Sequence, residues 1–101
     1  MRYLVSIAPD AQINNEIDRS GDVMPMLDWL KETFKPEAFY LEAAQRKIWM
    51  VVEFQTAGDL NKLTCIGIFK YGARPEFRPL FSEEENTTAI PASLALMESV
   101  T

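Results

Sequence analysis

Histidine is absent from this chain of 101 residues. That excludes a Ser-His-Asp triad, a histidine haem ligand, histidine-bound zinc or iron, and an imidazole general base. Any acid–base work falls to carboxylates, lysine, tyrosine or cysteine. Cysteine is almost as scarce. Cys65 stands alone, so there is no internal disulfide and no Cys/His spacing for zinc. The sequence has no GxGxxG, GxxxxGKS/T or GxSxG, and no metal or nucleotide cofactor is expected. No apolar run approaches the ~20 residues of a membrane span, so no membrane association is expected. Cations are in the minority, 10 Lys and Arg against 15 Asp and Glu for a net charge of −5. Without a basic cluster, such a chain repels phosphate backbones, and nucleic acid is not an expected partner.

What is present suits one packed domain over residues 1–101. Hydrophobic residues make up 48%, well above the content of disordered chains. A domain this small buries a limited fraction of its surface, and oligomerisation is a common way to bury more. The opening "MRYLVSIAPD" has a basic residue and an apolar run. Ser6 breaks the run and Pro9-Asp10 ends it, so it reads as a strand rather than a signal peptide. A cytoplasmic location is the expectation.

Alternation places a first strand at 2–8, with Tyr3, Val5 and Ile7 on one face and Arg2, Leu4 and Ser6 on the other. "DAQINNEIDRSG" reads as a long polar loop. A helix follows from about Asp22, capped by Ser20 or Asp22 and tolerating Pro25 in its first turn. Val23, Met26, Leu27, Leu30 and Phe34 form its buried stripe, Trp29 lies off the centre of that stripe, and Pro36 ends the helix. "KPEAFYLEAAQRKIWMVVEF" then reads as a hairpin, with strands at 38–44 and 47–54 and a turn on Gln45-Arg46. This register pairs Ala44 with Lys47, Glu42 with Trp49, and Tyr40 with Val51. Phe39, Leu41, Ala43, Ile48, Met50, Val52 and Phe54 fall on one apolar face. Tyr40, Glu42, Ala44, Lys47, Trp49, Val51 and Glu53 fall on the other. Gln-Arg is poor chemistry for a two-residue turn, which leaves room for a wider loop.

A second helix starts at Thr56, with Asp59 at capping-box spacing. Leu60, Leu63 and Ile66 or Gly67 face the sheet. "GARPEFRPLF" gives a fourth strand at 74–80, whose prolines suit an edge. A polar connection leads to a C-terminal helical extension at about 88–99, with Ile90, Leu94 and Met97 as its stripe. The order β-α-β-β-α-β plus a helix predicts an α+β, ferredoxin-like fold with a four-stranded antiparallel sheet. Right-handed crossovers put both helices on one face. The other face, carrying Leu4, Tyr40, Trp49 and Val51 among charges, would pack on a second sheet in a dimeric α/β barrel.

The residues also carry a resemblance. Asn15-x3-Arg19-x-Gly21, "KPEAFY" from Lys35, Gln45-Arg46, and "EFRP" at Glu76 to Pro79 followed by "SEEEN" occur in that order over about residues 2–86. Together they resemble a group of uncharacterised short bacterial proteins related to the dimeric α/β-barrel superfamily, alongside muconolactone-isomerase-like and YCII-like proteins. The chain has Ala44 where that pattern has a glycine, and one or two more residues in the turn. It lacks the histidine-containing C-terminal segment of the isomerase-like relatives. The resemblance implies the fold and dimerisation, and carries over no reaction.

Several residues are site candidates. Glu42 and Glu53 share a face, but the register sets them roughly 13 Å apart, beyond the reach of paired glycosidase carboxylates. The plainer expectation is that Glu53 meets Arg2 and Glu42 lies near solvent or an interface. Glu42 beside Tyr40 and Trp49 is the best single pocket, because an aromatic wall favours the neutral acid and suits a proton shuttle. The competing and preferred role of the two aromatics is to fill a dimer interface. Asn15 and Arg19 sit where a loop after strand one would cover a barrel mouth, and Arg19 has the fork to hold an anion or a structural partner. Arg78 and Arg74 would bind an anion or, preferably, offset Glu42 and Glu53. Cys65 is expected to be a buried, inert thiol. The expected function is a homodimeric small-molecule-binding or assembly module. The alternative is a cofactor-independent isomerase or monooxygenase acting on a small metabolite, with Glu42 as proton shuttle and Arg19 or Arg78 orienting the substrate.

Overall fold

A computed structural model describes residues 1–100. The chain runs β1 (Arg2–Ile7), α1 (Ala11–Ser20), α2 (Val23–Phe34), β2 (Ala38–Glu42), β3 (Lys47–Glu53), α3 (Ala57–Tyr71), β4 (Glu76–Leu80) and α4 (Glu83–Glu98). The strands form one open sheet in the order β2-β3-β1-β4, with every neighbouring pair antiparallel. The result is an α+β protein with four helices, compatible with a ferredoxin-like fold.

The core lies between the sheet and the helices. Val5 and Ile7 from β1 and Ile48, Met50 and Val52 from β3 meet Leu27 and Leu30 from α2 and Leu63 and Tyr71 from α3. Period-two alternation on the strands and period-3.6 spacing on the helices bring these residues to one layer. The α2 stripe packs as its spacing predicts, with Val23, Met26 and Phe34 flanking the two buried leucines. α3 approaches so closely that Gly67 has no room for a side chain. A Cβ there would stand 2.6 Å from Pro75 Cδ and 2.7 Å from the Ala73 carbonyl. β4 lies at one edge of the sheet, which suits Pro79 and its missing N–H.

Four expectations need correction. The polar stretch after β1 is a helix, α1. Asp10 caps it by accepting the Gln12 amide at 3.1 Å, and Gly21 closes it in the left-handed region with φ 76°. Ile13 and Ile17, one turn apart, supply its half-buried side, and Ile17 packs against the core. Two apolar residues suffice because α1 only has to cover a margin.

The hairpin is also wider than a Gln-Arg turn. Glu42 pairs with Lys47, Tyr40 with Trp49 and Ala38 with Val51, leaving a four-residue loop from Ala43 to Arg46. Arg46 takes φ 53° to close it. The shift is by an even number of residues, so the residues of β2 and β3 keep their faces, while Ala43 and Ala44, expected on the strand, lie in the loop. At α2, Asp22 is the N-cap residue but makes no side-chain capping bond. It accepts instead from Ser20 Oγ at 2.8 Å. Finally, the C-terminal helix begins at Glu83, ahead of the expected 88. Ser82 and Glu85 form a reciprocal capping box that absorbs the acidic connection. α4 projects from the rest. The molecule measures 59 × 28 × 25 Å, and its radius of gyration is 17.3 Å, against about 13 Å for a compact chain of this length.

Candidate functional site

The face of the sheet turned away from the core carries most of the candidate residues. The strand registers fix its layout. One row across the sheet is Tyr40, Trp49, Ser6 and Glu76, and the next is Ala38, Val51, Leu4 and Arg78. Leu4, Ala38, Trp49 and Val51 are half-buried by their strand neighbours, while Tyr40 is 70% exposed. The buried residues of the helices lie in the core on the opposite side. This leaves a centre of Leu4, Trp49 and Val51 around the buried Ser6, with charged residues toward its edges.

At the hairpin end, Trp49 Nε1 donates to Glu42 Oε2 at 2.8 Å. Lys47, directly opposite Glu42, places its ammonium 5.6 Å from the centre of the Trp49 ring. The indole therefore holds one half-buried carboxylate beside an open tyrosine, and the lysine stands over the indole. This is the grouping of Tyr40, Glu42 and Trp49 expected from alternation, with Lys47 as an added member. Tyr40's exposure leaves this grouping open to solvent in a single chain.

Glu53 is elsewhere. Six positions along β3 separate its row from that of Lys47 and Glu42, or about 20 Å. The wider loop thus moves the two glutamates further apart than the two-residue turn implied. Glu53 and Arg2 are backbone partners, but their side chains choose others. The Met1 ammonium bonds Glu53 at 2.8 Å, and Arg2 Nε meets Glu37 at 2.9 Å. The hydrogen bond from the amine holds the Glu53 carboxyl below its ordinary pKa, and the Glu37 bond raises that of Arg2. Both pairs are exposed, so they contribute little to stability.

The residues expected in a loop divide. Asn15 Oδ1 accepts from Arg46 Nη1 at 2.9 Å, and Arg46 Nη2 also binds the Asp18 carboxylate. The hairpin tip is thereby latched to α1. The sequence marks Arg46 only as a turn residue, because a lone arginine in a turn looks like a solvated side chain. Its signal was the helical spacing of Asn15 and Asp18, which is visible only if α1 is a helix. Arg19 lies exposed in the last turn of α1, where a cation complements the helix dipole. It makes no ion pair among the described residues. Arg78 shares the outer face and reaches Glu76 at 3.7 Å. Arg74 is exposed ahead of β4, and Cys65 is half-buried in α3.

The helix side has a cleft of its own. A space of about 470 Å³ opens between α2 and α3 over the end of β3, walled by Trp29, Phe34, Val52, Phe54 and Ile66, with Asp59 and Lys62 at its rim. Its size falls within the range of small-molecule sites. It is reached from the opposite face to Tyr40 and Glu42, and Glu53, expected to share a site face with them, borders it instead. Among the described residues, no group of three acidic, cysteine or histidine side chains is placed to hold a metal ion. Among the described residues, no helix is long and apolar enough to cross a membrane. Comparison with protein-family models, with curated proteins and with solved structures yields no match.

Proposed function

We propose that the chain is a homodimeric module of the dimeric α/β-barrel kind. Two ferredoxin-like sheets pack through their outer faces and enclose a small-molecule pocket between them. The observation that supports this most is the uncovered centre of Leu4, Trp49 and Val51. Aromatic and aliphatic groups ringed by charge form the composition of interface cores. A second sheet would also supply the wall that Tyr40 lacks. The order of "NEIDRSG", "KPEAFY", "QR" and "EFRP" along the chain supports the same family reading.

The test is Val51→Lys. It places an ammonium at the centre of the face without disturbing the core side of β3. We expect the wild-type dimer to weaken by about 100-fold in sedimentation equilibrium, with the circular dichroism spectrum unchanged. A dimer that tolerates the lysine would remove the outer face as the interface.

A second reading rests on the Trp49–Glu42 hydrogen bond. An oriented carboxylate in a pocket closed by a partner is the equipment of a cofactor-independent isomerase or monooxygenase. Glu42 would shuttle the proton, and Arg78 on the same face would orient the substrate. With a turned-over metabolite in hand, Glu42→Gln should lower kcat by about 100-fold or more while the fold is retained. Unchanged turnover would take Glu42 out of the mechanism.

A further inference from the structure

Unlike α2 and α3, α4 buries no residue. Its large apolar side chains stand in the open: Ile90 is 49% exposed, Leu94 55%, Leu96 69% and Met97 68%, and Phe81 just ahead of the helix is 65% exposed. At 3.6 residues per turn these four helical residues cover roughly half of the circumference. Such a helix does not sustain itself in water. Isolated helices of this length are marginal even with the best helix formers. Pro91 makes matters worse, because it lies inside the helix, lacks an N–H and crowds the carbonyl one turn back. The capping box offsets only about 1 kcal/mol of this.

Something therefore covers the apolar side, and the choice can be narrowed. The chain's own core does not, since no α4 residue joins it. A lipid surface fits poorly. Residues 79–101 hold Glu83, Glu84, Glu85 and Glu98 and no lysine or arginine, whereas helices that lie on membranes carry cations on their polar side. A second copy of this chain fits on two counts. It brings Arg78, which is exposed and reaches Glu76 only at 3.7 Å, toward the acidic first turn of α4. It also brings enough area. Phe81, Ile90, Leu94 and Met97, at on the order of 100 Å² each, add about half of the ~800 Å² per partner that a stable interface needs to the area of the sheet-to-sheet contact. The reach suffices too, because a helix of 16 residues is about 24 Å long, against ~14 Å across four strands.

We propose that α4 is an exchanged arm. In the homodimer each copy lays the Ile90–Leu94–Met97 side of its α4 on the other copy, beside the sheet-to-sheet contact. This rests on the dimer proposed above and adds the segment that reaches across it.

Two measurements on the full chain test the arm. The first is sedimentation equilibrium of the Ile90→Glu/Leu94→Glu variant, with circular dichroism as the check on folding. The second is amide hydrogen exchange of residues 86–98 in the wild-type chain along a dilution series. We expect the variant to associate about 100-fold more weakly, and the α4 amides to lose protection in step with dimer dissociation. A variant that dimerises like the wild type, or α4 amides that exchange freely within the wild-type dimer, would overturn the arm while leaving the sheet-face dimer in place. Protected α4 amides in a Val51→Lys monomer would overturn it as well, by placing the helix on its own chain. A wild-type chain that is monomeric throughout would overturn both.

Discussion

α3 and α4 start alike and end in different surroundings. Each begins behind a hydroxyl side chain that accepts the amide three residues on, Thr56 from Asp59 and Ser82 from Glu85. They are nearly equal in length, at 15 and 16 residues. Yet α3 buries Leu63, Gly67 and Tyr71, and α4 buries nothing. Caps and propensity decide where a helix starts. The surface it meets decides what it contributes to stability. α3 meets the sheet of its own chain, and on our account α4 meets another.

The sharpest way to break this comparison is to truncate one leucine in each helix. Leu63 is fully buried, so Leu63→Ala should cost about 2–5 kcal/mol in urea denaturation. Leu94→Ala, measured at concentrations where the chain is monomeric, should change stability by less than about 0.5 kcal/mol. Similar losses from both would place α4 on its own chain.

The glycines of α3 sharpen the point within one helix. Alanine favours a helix over glycine by about 1 kcal/mol. At Gly58 the nearest atom to a new Cβ is Thr56 Oγ1 at 3.5 Å, so Gly58→Ala should be neutral or stabilising. At Gly67 the Cβ would meet Pro75 and a backbone carbonyl inside 3.0 Å. Gly67→Ala should therefore cost about 1–3 kcal/mol in spite of its propensity. If both substitutions stabilised, the close approach of α3 to the turn before β4 would be refuted.

The smallest effect lies at the end of α3. The Tyr71 hydroxyl is buried without a hydrogen-bond partner among the described residues, and burial raises its pKa. Tyr71→Phe should leave thermal stability unchanged or raise it by up to about 1 kcal/mol. A clear loss would mean that the hydroxyl has a partner in solution.

Much of this was legible in the sequence because it depends on period. Strand alternation sorted the residues of β2 and β3 onto the correct faces even though Ala43 and Ala44 belong to the loop, since a slip by an even number preserves parity. The α2 stripe and the edge position of β4 followed from helical spacing and from Pro79. What stayed hidden depended on single contacts. α1 has only Ile13 and Ile17 to mark it, and its Asn, Asp and Ser residues imitate a loop. The Ser82–Glu85 capping box lay inside a run that looked like an acidic tether. The choice of Met1 over Arg2 by Glu53, and the Arg46 latch onto Asn15 and Asp18, depend on side-chain reach, which no pattern encodes. The cleft between α2 and α3 is a space, and sequence records what fills a volume more readily than what leaves it open.

The central claim is that the outer sheet face belongs to an interface between two copies of this chain. Its most direct test is the molar mass of the unmodified protein by light scattering over a wide dilution series. We expect twice the 11.5 kDa of the chain at the concentrated end, falling to the single-chain mass on dilution. A mass of one chain at every concentration would contradict it.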